Sequence, residues 1–211
     1  MGIHYLAGID EAGRGPLAGP VVVAAVVLPP NPLACRGLIG LRDSKQLTPT
    51  FRERWREVIK EIAITWGVGF ASAQEIDAIG VLPSTHLAAR RAVEMLLFYP
   101  EQLLLDYLRI HDLPIPQISL VKGDERSLSI AAASILAKTA RDAHLIELDI
   151  TYPGYGFARN KGYGTKEHLD AIRHLGPCPI HRFSFKPVSQ LNTLEPIPFI
   201  KDINSSQRNY K

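Results

Sequence analysis

Gly8-Ile9-Asp10-Glu11-Ala12-Gly13-Arg14-Gly15-Pro16, followed four residues later by Val21-Val22-Val23-Ala24-Ala25-Val26-Val27-Leu28, decides how the rest of the chain is read. The second segment is an unbroken apolar run of strand length, the pattern of a strand buried on both faces. Residues 5–10 read as a strand before it, joined to it by a Gly/Pro-rich connection, and Pro29, Pro30 and Pro32 end the pair. Two adjacent carboxylates therefore stand where an apolar strand runs into a glycine-rich turn. A charged corner in water is the ordinary reading of such a pair; the first ligands of a metal-dependent phosphodiesterase are the other.

Outward from this corner, Thr48-Pro49 has the form of a helix N-cap with proline at the first helical position. It predicts a helix through Phe51, Trp55, Val58 and Ile62 whose outer face, with Arg52, Arg54, Arg56 and Lys60, is strongly basic and solvated. Residues 62–70 predict a third strand, 84–97 a helix, and Leu103-Leu104-Leu105-Asp106 a buried strand closing on an acid. Ile118 to Val121 is short and apolar before Lys122-Gly123-Asp124, and Ser127 can cap a long helix rich in small residues from Leu128 to about Leu148. Residues 153–164 form a loop, and Thr165 caps a last regular helix that stops at Gly176. This order predicts an α/β sheet of mixed direction with helices on its faces. Without a repeat or a Pro/Ser linker, one unit is expected over residues 1–190 and a flexible tail over 191–211.

Composition narrows the function. A chain of 211 residues, 46% of them hydrophobic, can bury a full core. A formal charge of +3 is compatible with nucleic acid without demonstrating it. Cys35 and Cys178 stand alone, so neither a disulfide framework nor a structural zinc site is indicated, and a reducing cytoplasm is expected. The longest apolar run is too short for a bilayer, so no membrane insertion or secretion is expected. A phosphate-binding loop, an HExxH pair and a Gly-x-Ser-x-Gly elbow are all missing from the sequence.

The acids suggest a different chemistry. Cleaving a phosphodiester without a covalent intermediate requires an activated water and a leaving oxygen relieved of charge, and two divalent ions roughly 3.5–4 Å apart do both. Magnesium prefers carboxylate and water oxygens. Asp10, Glu11, Asp106 and Asp124 each lie at a strand end or just beyond one, where ligands of open α/β sheets gather. Read singly, Asp106 is also an acid at a strand exit and Asp124 a turn residue. Strand alternation would send Asp10 and Glu11 to opposite faces, so the turn beginning at Ala12 is expected to swing Glu11 round.

The ordered motifs carry a resemblance. Besides Asp10-Glu11-Ala12-Gly13-Arg14-Gly15 they are Asp43-Ser44-Lys45, the strand ending in Asp106, Lys122-Gly123-Asp124, residues 131–138 with Arg141-Asp142, Tyr155-Gly156-Phe157, Lys161-Gly162-Tyr163-Gly164-Thr165, and His181-Arg182-x-Ser184-Phe185-x-Pro187-Val188. From residue 5 to about 188 the sequence resembles bacterial ribonuclease HII, the type 2 ribonuclease H. The resemblance implies a ribonuclease H-like mixed sheet flanked by helices, with a small helical C-terminal portion that helps hold the duplex. It implies hydrolysis of the RNA strand of RNA/DNA hybrids and nicking 5′ to ribonucleotides embedded in duplex DNA, with Mg2+ or Mn2+, giving 5′-phosphate and 3′-hydroxyl ends.

Carried over by position, the metal-binding acids are Asp10, Glu11 and Asp106, with Asp124 as the fourth and Asp142 its rival. The resemblance assigns 2′-hydroxyl recognition to the backbone of Gly13, Arg14 and Gly15 and to Tyr163; without it, a tight turn and loop packing would be the reading. Lys45, Lys122, Lys138, Lys161 and Arg182 become candidates for phosphate contact. The sequence departs from the family pattern at Tyr107, where glycine is usual, and at Asn160, where histidine is common and phosphate contact is expected to alter. A monomer is expected, with contact to a replication clamp left open. The related ribonuclease HIII is set aside because Asp10 leaves no room for an added N-terminal domain, and an inactive nucleic-acid-binding relative is the alternative.

Overall fold

The computed structural model describes residues 5–41, 48–106, 109–111 and 113–191. A five-stranded sheet in the order β3-β2-β1-β4-β5 forms its centre. The all-apolar run becomes β2 (Val21–Val27), buried along its whole length. It lies between β1 (Leu6–Ala12) and β3 (Thr65–Ala71), antiparallel to both. On the other side of β1, β4 (Gln102–Asp106) and β5 (Gln117–Leu120) run parallel, giving the mixed sheet expected.

Two apolar layers cover the sheet. Helix α3 (Val81–Glu94) packs Ala88, Ala89, Ala92 and Val93 onto one face. Helices α1 (Pro49–Ile62) and α5 (Leu128–Thr151) pack on the other. Ala131, Ala132 and Ala133 of α5 are fully buried, and their small side chains bring the helix close to β1 and β2. A third cluster joins Leu17, Ala18 and the end of α5 to Tyr155, Phe157, Ile172 and Val188. It is built by α6 (Phe157–Asn160), α7 (Lys166–Leu175) and α8 (Val188–Leu191), the small helical C-terminal portion.

Helix starts follow the side-chain caps. Thr48, Ser127 and Thr165 accept from the backbone N–H groups of Phe51, Ile130 and His168, as their positions predict. Three differences stand out. Ile62 ends α1, so the third strand begins only at Thr65. A separate α2 (Ala73–Ile79) starts on a capping box in which Ser72 and Glu75 satisfy each other's backbone N–H groups. A one-turn α4 (Gly123–Arg126) replaces the turn expected around Asp124. Among the described residues no helix is long and apolar enough to cross a membrane.

Candidate acidic site and its glycine loop

The parallel register of β1 and β4 pairs Ile9 with Leu105, which brings Asp10 and Asp106 to neighbouring strand ends. Asp10, only 8% exposed, hydrogen-bonds Ser134 of α5 and accepts from the Glu11 N–H at 2.8 Å. Burial raises its pKa to about 7, and the nearby charges of Glu11 and Asp106 push the same way. The Glu11 carboxyl is also raised, by burial first and by Asp106 further, against the opposing pull of Arg14 at 3.3 Å. β1 stays paired with β2 through Ala12, so the expected turn at Ala12 does not occur; Glu11 nevertheless lies near enough for its charge to act on Asp10 and for that of Asp106 to act on it.

Asp106 accepts from the Gly123 N–H at 2.8 Å, which ties β4 to α4. The next residue, Asp124, is 2% exposed and caps its neighbour Glu125. Asp142 is neutralised differently, by Lys138 at 2.7 Å and Arg52 at 3.9 Å. Among the described residues no three Asp, Glu, His or Cys side chains form a ready-made metal cluster. The donor chemistry nevertheless fits a hard divalent cation: the acids offer oxygen only, and burial together with neighbouring negative charge disfavours the charged forms of Asp10 and Glu11 unless a cation joins them. Glu11 would have to give up Arg14 to take part.

The glycine loop begins two residues after Glu11. Gly13 has φ +94°, and a Cβ there would sit 2.1 Å from Nε of Arg141, so only glycine fits. Gly15 is the opposite case, since a Cβ built on it meets nothing within 4 Å. The loop carbonyls turn inward: Arg182 donates to the oxygens of Gly13, Arg14 and Gly19, and Arg141 to those of Ala18 and Pro20. The N–H groups of Leu17 and Gly19 are taken by the carbonyls of Gly162 and Ile180. Those of Gly13, Arg14 and Gly15 have no protein acceptor among the described residues; Gly13 is half-buried, and Arg14 and Gly15 are exposed.

Several candidate side chains stand elsewhere than expected. Arg182 is 0% exposed and cannot meet a phosphate; its guanidinium braces the loop. The Lys161 ammonium donates to Ala158, and its own carbonyl accepts from Arg141, so it too holds the loop together. Asn160, read as altering a phosphate contact, is buried and joins the Tyr155 carbonyl to the Gly162 N–H. Lys122 is exposed beside Glu125, and Lys138 is half-buried on Asp142. Lys45 and Tyr107 lie outside the described residues, as does the tail beyond residue 191.

Tyr163 is 46% exposed at the rim of a 280 Å³ cavity, which Glu11, Gly13, Arg52, Ser134 and Lys138 also line. Its carbonyl is held by His168, whose other ring nitrogen lies 3.1 Å from that of His181. Arg52, read as part of a solvated helix face, thus reaches the site. Arg141, His168 and His181 were not singled out as supports of it. The signal for Arg141 is its place on α5 in the buried stripe Ala133, Ala137, Arg141, Leu145, where a lone guanidinium interrupts an apolar i, i+4 row.

Comparison with known proteins adds to this geometry. The family model described as Ribonuclease HII matches residues 7–188. The ribonuclease HII of Desulfitobacterium hafniense strain Y51 is 56% identical over 189 residues, 90% of this chain and 71% of that protein. That of Thermus thermophilus is 54% identical over 185 residues, 88% of each. Among solved structures, ribonuclease H2 from Pyrococcus horikoshii OT3 superposes with a TM-score of 0.71 at 25% identity, covering 89% of this chain and 96% of that one.

Proposed function

The chain belongs to the ribonuclease HII family and is a ribonuclease H active on RNA/DNA hybrids, and from that premise we propose that it also nicks duplex DNA 5′ to an embedded ribonucleotide. The observation that carries this reading is the row of N–H groups without a protein acceptor among the described residues at Gly13, Arg14 and Gly15, which begins two residues beyond Glu11. Consecutive N–H groups without a protein acceptor suit a hydroxyl or phosphate oxygen. The 2′-hydroxyl is what separates RNA from DNA at a given site.

In this reading Asp10, Glu11 and Asp106, with Asp124 as the fourth acid, would hold Mg2+ or Mn2+. Bound there, two such ions supply an activated water and relieve the leaving oxygen of charge. Asp10 must shed its proton to serve, and its raised pKa delays that loss until pH climbs toward and past about 7. Arg14, half-exposed on Glu11, becomes free for a phosphate once Glu11 turns to its new partner. The bare Gly15 lets a sugar approach the main chain, and the exposed ring of Tyr163 stacks on the sugar beyond it. Lys45, Lys122 and Lys138 serve the backbone phosphates, which sets register without reading sequence. The two unpaired, buried cysteines suit a reducing cytoplasm, and in this reading the protein acts there as a monomer.

The test is a duplex holding one ribonucleotide in one DNA strand, incubated with magnesium, manganese or chelator. Metal-dependent nicking 5′ to the ribonucleotide, with 3′-hydroxyl and 5′-phosphate ends, is expected. Binding without nicking in either metal would overturn the reading.

A further inference from the structure

We propose that Arg141 and Arg182 are positioning residues which, by holding the carbonyls of the 13–20 loop inward, keep the N–H groups of residues 13–15 aimed at the ribose and so set discrimination between ribo- and deoxyribonucleotide. Both guanidiniums are 0% exposed, and neither pairs with a carboxylate among the described residues. A buried cation in that position is costly unless its donors are well used. Here the donors go to main-chain oxygens. Arg182 gives Nε to Gly19 at 3.0 Å, one terminal nitrogen to Arg14 at 2.8 Å, and the other to Gly13 at 2.5 Å and Gly19 at 2.9 Å. Arg141 gives Nε to Pro20 at 3.0 Å and its terminal nitrogens to Ala18 at 3.1 Å and Lys161 at 2.9 Å.

The planar, five-donor fork is what spans these oxygens at once; a lysine offers one donor group at a single point. Because Arg141 sits on α5 and Arg182 beyond α7, the loop is fixed by two separate elements, and Arg141 ties it to the Lys161 segment that precedes Tyr163. Gly13 is closed to any side chain by Arg141 itself. The loop is therefore braced from its inner side by both guanidiniums.

This inference rests on the assignment of residues 13–15 to sugar recognition, and the experiment separates the two. Arg141→Lys and Arg182→Lys are compared with the wild type by kcat and KM on the single-ribonucleotide duplex. Affinity for that duplex and for its all-DNA twin is measured in calcium. Misplacing recognition groups by about 1 Å is expected to raise KM roughly tenfold to a hundredfold with a smaller change in kcat, and to bring the two affinities together. The manganese-induced rise in Tm, which reports the acids, stays as in the wild type. An unchanged affinity ratio in folded variants would overturn the proposal. Should the variants not fold, hydrogen exchange in the wild type reads the clasp itself: protected Leu17 and Gly19 amides beside fast-exchanging Gly13, Arg14 and Gly15 support it, and uniform fast exchange across 13–19 overturns it. A wild type that binds both duplexes equally would refute the sugar-recognition reading while leaving the exchange result on the clasp intact.

Discussion

The acids at the ends of β1 and β4, buried or half-buried, and the buried arginines beneath the glycine loop are both groups of like charge, yet their partners differ. Burial disfavours the charge of Arg141 and Arg182 as well, and Arg141 repels Arg182, but both spend their donors on main-chain carbonyls, which ties them into the fold. Burial lifts both the Asp10 and Glu11 carboxyls above their ordinary range; Asp10 also feels Glu11 and Asp106, and Glu11 feels Asp106 against the pull of Arg14. Guanidiniums bound to main-chain oxygens of a loop brace the architecture, whereas carboxyls gathered at adjoining strand ends offer a cation the oxygen donors it needs.

The largest effect that distinguishes the two regions is on catalysis. Asp10→Asn and Asp106→Asn are each expected to lower kcat by about a thousandfold or more, since about 4 kcal/mol of charge stabilisation is removed; single-turnover nicking measures it. Arg182→Met should act on the fold instead. Leaving buried carbonyls without donors costs roughly 3 kcal/mol or more, visible in urea denaturation, and unchanged stability would place Arg182 outside the architecture.

The imidazole pair supplies a smaller, pH-dependent term. Burial, then the neighbouring His168, pushes the His181 pKa down to about 4. A histidine depressed in the fold is protonated first in the unfolded chain, so its contribution is complete above pH 6.5 and fades as pH falls toward 4. Stability is expected to drop across that window by up to about 3 kcal/mol, and His181→Gln, measured by denaturation at about pH 5 and pH 7, should flatten the dependence.

The smallest change in stability belongs to Gly15→Ala. Its Cβ meets open space, so stability should stay within about 0.5 kcal/mol of the wild type, while KM on a ribonucleotide substrate rises. Gly13→Ala, with its positive φ and 2.1 Å approach to Arg141, should destabilise the fold. Equal effects of the two on stability, or an unchanged KM for Gly15→Ala, would break the contrast.

How much the sequence revealed follows the same division. The apolar run of β2 and the acids closing β1 were legible because strand periodicity and strand ends are local properties. Helix α2 escaped because seven residues carry too little periodicity, although Ser72 and Glu75 bore its capping box. Arg182 was misread as a phosphate ligand because arginines are usually exposed, and the carbonyls that bury it lie more than 160 residues earlier in the chain. Lys161 and Asn160 show the same limit at short range, their roles set by a left-handed turn that packs against residues 17–19. That Asp10 and Asp106 would adjoin required the parallel pairing of β1 with β4, which no local pattern encodes.

Thermal unfolding of wild type and Asp10→Asn at about pH 8, with and without manganese, separates a binding site from an architectural charge most directly. With its folded pKa raised to about 7, Asp10 holds a proton that the unfolded chain sheds above pH 3.8, so metal-free stability falls between those values and ionised Asp10 weighs against the fold beyond them. Asp10→Asn is therefore expected to melt higher than the metal-free wild type, by about 2–4 kcal/mol in stability. Manganese should raise the wild-type Tm and leave that of Asp10→Asn nearly unmoved. A variant that melts lower than the metal-free wild type, or that gains as much from manganese, would contradict the assignment of Asp10 to a cation site.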